Sequence, residues 1–424
     1  KESDEAWVDL FQIGNTYAID YTNSFSFLRE SNSILWASEK DGWRHLYQVS
    51  LEGKPEVLIT KGEYDVIDLK YIHNKEGFVY YLASPNNATQ KYLYKTKLNG
   101  KGKNELLSPA SLEGSHDYSF SSNGNYAAHS FSNHFTPYSK EFISISNHKA
   151  LTEEESILKN IKKIEEKPTT EFFTITTEDN VELDGWMVKP TNFDPTKKYP
   201  VVFYVYSEPA RATVNDSYNT SRNSLYIGDM AEDGYIYISL DNRGTPSPKG
   251  REWRKSIYRK IGVININDQA MAAKEILNWD FIDSERVAVW GWSGGGSATL
   301  NLMFQYPEIY KTGIAIAAVA NQLTYDNIYQ ERYMGLPKEN KEDFIIGSPI
   351  TYAKNLEGNL LYIHGTGDDN VHYQNAELLI NELIKNNKQF QFMPYPNRTH
   401  GISEGEGTRK HLATLYTNYL KLHC

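Results

Sequence analysis

A serine set among glycines is the residue of this chain best placed to do chemistry. Ser293 lies in Gly291-Trp292-Ser293-Gly294-Gly295, after the strand-like run Arg286-Val287-Ala288-Val289-Trp290 and before the helix-compatible Ser297-Ala298-Thr299-Leu300-Asn301-Leu302-Met303. A strand that turns sharply into a helix pushes the serine oxygen clear of the backbone. Side chains at the flanking positions would collide with strand or helix, which accounts for the glycines. The exposed oxygen then lies near a helix N-terminus, where N–H groups and the helix dipole favour a developing oxyanion. A glycine-rich turn with no catalytic task has the same local pattern, so the partners of the serine decide between the two.

A nucleophilic serine needs a base, and the base needs an orienting acid. In the α/β-hydrolase arrangement the strand, G-x-S-x-G and helix come first, and the acid and the histidine follow in that order. After Ser293 a strand is expected at Leu360–His364, followed by Gly365-Thr366-Gly367-Asp368-Asp369-Asn370. Asp368 on that loop stands where the acid belongs, although the same loop taken alone reads as an Asx turn. Asp326 and Asp343 are alternatives, but neither closely follows a strand. Among the histidines, His364 precedes the acid and His372 is too near it to come from a separate loop. His411 and His423 fall in the terminal helical pattern. His400 follows the last strand candidate and the turn-rich Pro394-Tyr395-Pro396-Asn397, so it completes the order serine, acid, base.

Two kinds of sequence must position these groups. Up to about residue 150, short aromatic or β-branched runs alternate with turn clusters. The paired runs are Ser33–Ser38 with Arg44–Val49, Gly77–Leu82 with Lys91–Thr96, and Asn125–Phe131 with Glu141–Ile145. Recurrence every 40 to 50 residues or so fits propeller blades, with a β-sandwich as the plainer alternative. Three blades cannot close a ring, so either upstream blades are missing or something else covers the edges. From about residue 170 buried-strand candidates appear at Val201–Val205, Tyr235–Ile238, Val287–Trp290, Gly313–Ala317, Leu360–Ile363 and Phe390–Met393. Helical patterns such as Asp268–Leu277 lie between them, which predicts a doubly wound, mostly parallel sheet. The expected division is therefore blades over 1–155 and an α/β-hydrolase domain over 156–424, bridged by the charged segment Glu153–Lys167.

Composition narrows the rest. At 424 residues the chain is long enough for two cores, and 40% hydrophobic with 23% charged residues is ordinary for a globular protein. A net charge of −10 without a Lys/Arg-rich run argues against a nucleic-acid surface. No apolar stretch approaches the roughly 18 residues of a membrane span. The one cysteine, Cys424, excludes an internal disulfide and a thiolate metal cluster. No metal or other cofactor is expected. Starting at Lys1 without a methionine or a signal peptide, the chain reads as a mature or trimmed product.

Gly291–Gly295, Ile363-His364-Gly365-Thr366-Gly367-Asp368-Asp369-Asn370-Val371-His372 and Thr399-His400-Gly401 resemble the catalytic blocks of the dipeptidyl peptidase IV branch of the prolyl oligopeptidase family. Tyr329-Gln330-Glu331-Arg332-Tyr333-Met334-Gly335-Leu336-Pro337 is a further match to that branch. The resemblance covers residues 170 to 424 and, more weakly, the first half, which is similar to the family's last propeller blades. It implies Ser293 as nucleophile, His400 as general base and Asp368 as orienting acid. It implies Tyr206 and the backbone N–H of Gly294 as the oxyanion hole. Tyr325 and Tyr329 match aromatic walls of the pocket that grips a proline ring, and Asn370 and Val371 match lining positions. The resemblance also implies a peptide substrate, a homodimer formed through the hydrolase domain and a secreted or periplasmic setting.

Three residues depart from the family. Gly294 stands where the family usually has tyrosine, Gln322 where mammalian members have tryptophan, and Glu208 where glycine is common. The pocket is therefore expected to be wider and more polar, unless a side chain from elsewhere refills the gap. The glutamates that hold a substrate's free amino terminus in the family have no counterpart here. The leading expectation is release of dipeptides from peptide N-termini, with proline- or alanine-like residues before the cut bond. The alternatives are an acylaminoacyl peptidase or esterase of the same fold, and a catalytically inactive binding homologue.

Overall fold

The computed structural model describes residues 25–154, 156–161 and 170–424. Of the charged segment Glu153–Lys167, residue 155 and residues 162–167 lie outside the described residues. The chain divides into two compact units. One comprises Lys1–Pro168 with Asn215–Thr220 and Ser247–Lys255, and the other comprises the remainder.

In the first unit the described strands form three consecutive four-stranded antiparallel sheets. They are β1–β4 (Phe25–Leu28, Ser33–Ser38, His45–Ser50, Val57–Leu58), β5–β8 (Val66–His73, Phe78–Ala83, Tyr92–Lys97, Glu105–Leu106) and β9–β12 (Ser115–Phe120, Tyr126–Ser132, Ser139–Ser144, Lys149–Ala150). Each is a meander joined by the turn clusters read in the sequence, as in a propeller blade. The two-residue period of a strand explains how they stack. On β6, Val79, Tyr81 and Ala83 join the core shared with Leu35 and Leu46 of the first sheet. The alternate residues Tyr80 and Leu82 join the core shared with Tyr118, Ala127 and Ile143 of the third. Both faces of the middle sheet are thus apolar and covered. Arg254, buried within this unit, is held by Asp65 at 2.6 Å and Glu39 at 2.8 Å, so its charge is matched inside the fold.

The second unit is built on an eight-stranded sheet in the order β13-β14-β16-β15-β17-β18-β19-β20. The strands are Thr170–Thr176, Glu182–Val188, Tyr199–Tyr204, Ile236–Asp241, Ile282–Trp292, Thr312–Ile316, Asn359–Gly365 and Gln391–Tyr395. From β16 to β20 neighbouring strands pair in parallel. The central ones are apolar runs because helices cover both faces. The antiparallel pair β13 and β14 extends one edge, an addition to the strands read from the sequence. Parallel strands place all their carboxyl ends at one rim, so the loops that follow them converge there.

Candidate active site

The turn at Ser293 joins β17 to the helix Gly294–Gln305. Ser293 has φ 60° and ψ −120°, in the left-handed half of backbone space that a side chain strongly disfavours. Its N–H donates to the Ile316 carbonyl of β18 at 2.9 Å, which fixes the turn to the sheet. A Cβ at Gly291 would lie 2.4 Å from the carbonyl of Gly295, and one at Gly295 would lie 2.2 Å from that of Val205. These two glycines are therefore steric necessities of the turn. Gly294 is the first residue of the helix, so its N–H belongs to the turn that has no intrahelical acceptor.

Asp368 sits on the loop after β19 and is buried. One oxygen, Oδ1, accepts from the backbone N–H groups of Asn370 and Val371, each at 2.9 Å. The other, Oδ2, lies 2.8 Å from Nδ1 of His400 and 3.3 Å from Nε2 of His364. Burial alone would raise the carboxyl's pKa. The hydrogen bonds from His364 and His400, the charge of His400 and the Asn370 N–H outweigh burial and hold it well below the usual carboxylate range. An ionised Asp368 makes Nδ1 of His400 the protonated nitrogen, which leaves Nε2 as a free base. The loop bearing His400 also meets the elbow directly, because the Trp292 indole N–H donates to the His400 carbonyl at 3.0 Å. The structure thus brings Asp368 and His400 together and sets His400 against the residue preceding Ser293.

The competing carboxylates are engaged elsewhere. Asp326 caps the helix Asn327–Met334, accepting from the Tyr329 N–H at 2.9 Å. Asp343 pairs with Arg259 at 2.5 Å. His372 is exposed, and His411 is bonded to the Tyr395 hydroxyl at 2.8 Å. The sequence reading missed the part played by His364. Fully buried, it donates Nε2–H to the Val371 carbonyl at 2.8 Å and so braces the Asp368 loop. Its spacing, four residues before Asp368 at the end of a strand, was the available signal.

Tyr206 follows β15 at the same rim, and the Gly295 Cα–Cβ direction points into the adjoining Val205 carbonyl. Burial first, then the neighbouring Glu208 and Tyr325, raises its pKa, so the phenol keeps the proton it would donate. The rings of Tyr325 and Tyr329 meet edge to face at 5.4 Å, and the Tyr325 hydroxyl donates to exposed Asn370 at 2.8 Å. Two other expected lining residues are placed differently. Val371 is fully buried and acts through its backbone, holding Asp368 and accepting from His364. Gln322 is buried, and its Oε1 accepts from Gln330 Nε2 at 2.6 Å, so it stands within the wall rather than on its surface. The expected widening beside Gly294 is also corrected. A Cβ there would lie 2.8 Å from Oε2 of Glu208, so that carboxylate already fills the space.

Among the described residues one group has atoms arranged as metal ligands: His129, Glu141 and His148 of the first unit, all within 4.8 Å of one another. Both ring nitrogens of His129 are already hydrogen-bonded, to Glu141 at 2.8 Å and His116 at 2.9 Å, so the group is read as a buried hydrogen-bond chain.

Comparison with known proteins agrees with this architecture. Residues 221–423 match the prolyl oligopeptidase family, and residues 1–138 match the dipeptidyl peptidase IV N-terminal region. Dipeptidyl peptidase 4 of Trichophyton equinum is 31% identical over 391 residues, 90% of this chain and 50% of that one. A probable dipeptidyl peptidase 4 of Emericella nidulans is 30% identical over 96% of this chain and 53% of its own length. The crystal structure of Porphyromonas gingivalis dipeptidyl peptidase 4 has a TM-score of 0.83 and 33% identity, covering 95% of this chain and 56% of that one. A putative dipeptidyl aminopeptidase IV from Bacteroides ovatus has a TM-score of 0.82 and 27% identity, over 94% of this chain and 58% of its own. This chain therefore spans about half the length of the curated relatives it matches. It belongs to the prolyl oligopeptidase family, in the dipeptidyl peptidase IV branch.

Proposed function

We propose that the protein is a serine peptidase that releases dipeptides from peptide N-termini through an acyl-enzyme. Ser293 Oγ attacks the carbonyl before the cut bond while Nε2 of His400 takes its proton. The new C–O bond leaves a tetrahedral oxyanion, which the Tyr206 hydroxyl and the Gly294 N–H receive. As the C–N bond breaks, His400 passes the proton to the departing amine. Water, deprotonated by the same nitrogen, then attacks the ester and returns Ser293 to its starting state. Asp368 remains ionised throughout and stabilises the imidazolium.

The observation that carries this reading is the Asp368–His400 contact at 2.8 Å beside a serine held at φ 60°. A solvent-exposed ion pair forms by chance, but a buried carboxylate aimed at a histidine beside a strained elbow has a specific chemical use. The names of the relatives support dipeptides as the product. The decisive experiment has two arms. A fluorophosphonate probe should label Ser293 stoichiometrically, and failure to label it would remove the serine mechanism. Dipeptide reporter amides with a free amine should then outpace their N-acetyl counterparts, whereas the reverse order would identify an acylaminoacyl peptidase.

A further inference from the structure

Glu208 has an environment that the proposed mechanism leaves unused. The side chain is buried, with 6% of the residue exposed. Among the described residues its carboxylate accepts one hydrogen bond, from the Tyr329 hydroxyl to Oε2 at 2.7 Å, and makes no ion pair. The same Oε2 lies 2.8 Å from the point a Cβ would occupy on Gly294, the residue directly after Ser293. An acid group therefore stands one residue from the nucleophile, against the wall formed by Tyr329 and Tyr325. Burying a carboxylate with a single neutral donor is costly, and a charge retained in such a place gains most from a partner that arrives with the ligand. An apolar proline ring cannot supply one. An ammonium or guanidinium can, and the faces of the two tyrosines add further attraction for a cation.

We propose that Glu208 sets the specificity of the pocket beside Ser293, favouring substrates whose residue before the cut bond carries a cationic side chain, lysine or arginine, over neutral side chains of the same length. This deepens the serine-peptidase reading above and rests on it. Glu208 receives the cationic head on the carboxylate oxygen that Tyr329 leaves open, and Tyr329 holds the carboxylate in place. Burial pushes the Glu208 carboxyl up to about 7, against the opposing hydrogen bond from Tyr329. The phenols facing it, Tyr206, Tyr325 and Tyr329, are all raised above their ordinary value and stay neutral near that pH. Preference for a cation therefore grows as pH rises through neutrality.

The test compares kcat/KM for reporter amides with lysine or norleucine before the cut bond, each with a free amino terminus and N-acetylated, at pH 6 and pH 8. Within whichever series is turned over, lysine should exceed norleucine by roughly tenfold or more at pH 8, with a smaller ratio at pH 6. The effect of His400 on the rate is common to both substrates and cancels in that ratio. Glu208→Gln should bring the ratio close to one. A ratio near one in the unmodified protein at pH 8, or one that survives Glu208→Gln, overturns the assignment. Turnover confined to the N-acetyl series overturns the dipeptidyl reading while the lysine ratio still judges Glu208. No turnover in either series while a proline reporter amide with a free amino terminus is still cleaved overturns the Glu208 assignment alone, and no turnover of any of these substrates overturns both. Should Glu208→Gln fail to fold, the lysine ratio of the unmodified protein and its change with pH still decide.

Discussion

Ser293 holds a backbone conformation that costs free energy, and the cost can be measured by removing it. At φ 60° and ψ −120° the clash comes from Cβ, not from the hydroxyl. Ser293→Ala keeps Cβ and the strain, whereas Ser293→Gly removes both. A residue held in so sparsely populated a region costs about 1–3 kcal/mol. Glycine gives back about 0.5–1 kcal/mol through the greater freedom of its unfolded chain. Taking the middle of each range, the balance predicts that the glycine variant is more stable than the alanine variant by about 1 kcal/mol. Since Ser293 is half-buried and its turn is pinned by the Ile316 carbonyl, the backbone itself should not move. The assay is urea denaturation of the two variants side by side, with slopes compared so that a change in midpoint reports stability. Both variants should lose hydrolysis, by roughly 10⁴-fold or more. An alanine variant as stable as the glycine variant would show that the elbow stores no strain, and the argument from its geometry would fail.

Asp368→Asn should lower kcat by roughly 10³–10⁴-fold with little change in KM, because the amide no longer selects the His400 tautomer with Nε2 free; a loss under tenfold in steady-state assays would contradict the orienting role. Glu208 also links stability to pH: burial raises its folded pKa to about 7, above the ordinary glutamate value of about 4.5, so its contribution is full below about pH 4.5 and disappears as pH rises through 7. At about 1.4 kcal/mol per unit this amounts to about 3 kcal/mol, so relative to Glu208→Gln the unmodified protein should weaken by that order between pH 4.5 and 8. Parallel stability-versus-pH curves for the two proteins, from urea denaturation, would rule it out.

What could be read from the sequence follows the range of the forces involved. The blades were legible because strand alternation is local, and Val79–Ala83 carries its two-faced burial in five consecutive residues. The parallel strands were legible as apolar runs, and the elbow as a glycine cluster in which the missing side chains of Gly291 and Gly295 would strike the carbonyls of Gly295 and Val205. Asp368 and His400 could be ordered along the chain, but their 2.8 Å contact depends on where two separate loops leave the sheet. The antiparallel strands β13 and β14 were missed because Thr170–Thr176 and Glu182–Val188 mix polar and apolar residues and form no apolar run. The pocket was the least legible part. Gly294, Glu208 and Gln322 read as three separate departures, and treating each as a loss gave a wider cavity. In the fold, Glu208 occupies the space that Gly294 vacates, and its carboxylate is held by Tyr329, 121 residues further along the chain. The two departures thus meet in space, an acid against the first residue of the helix. A change in size at one position was visible locally, but its compensation was not, because the compensating atom comes from another loop. Chemistry at the pocket must therefore be argued from the pair, and the pair carries a charge where either departure alone implied a gap.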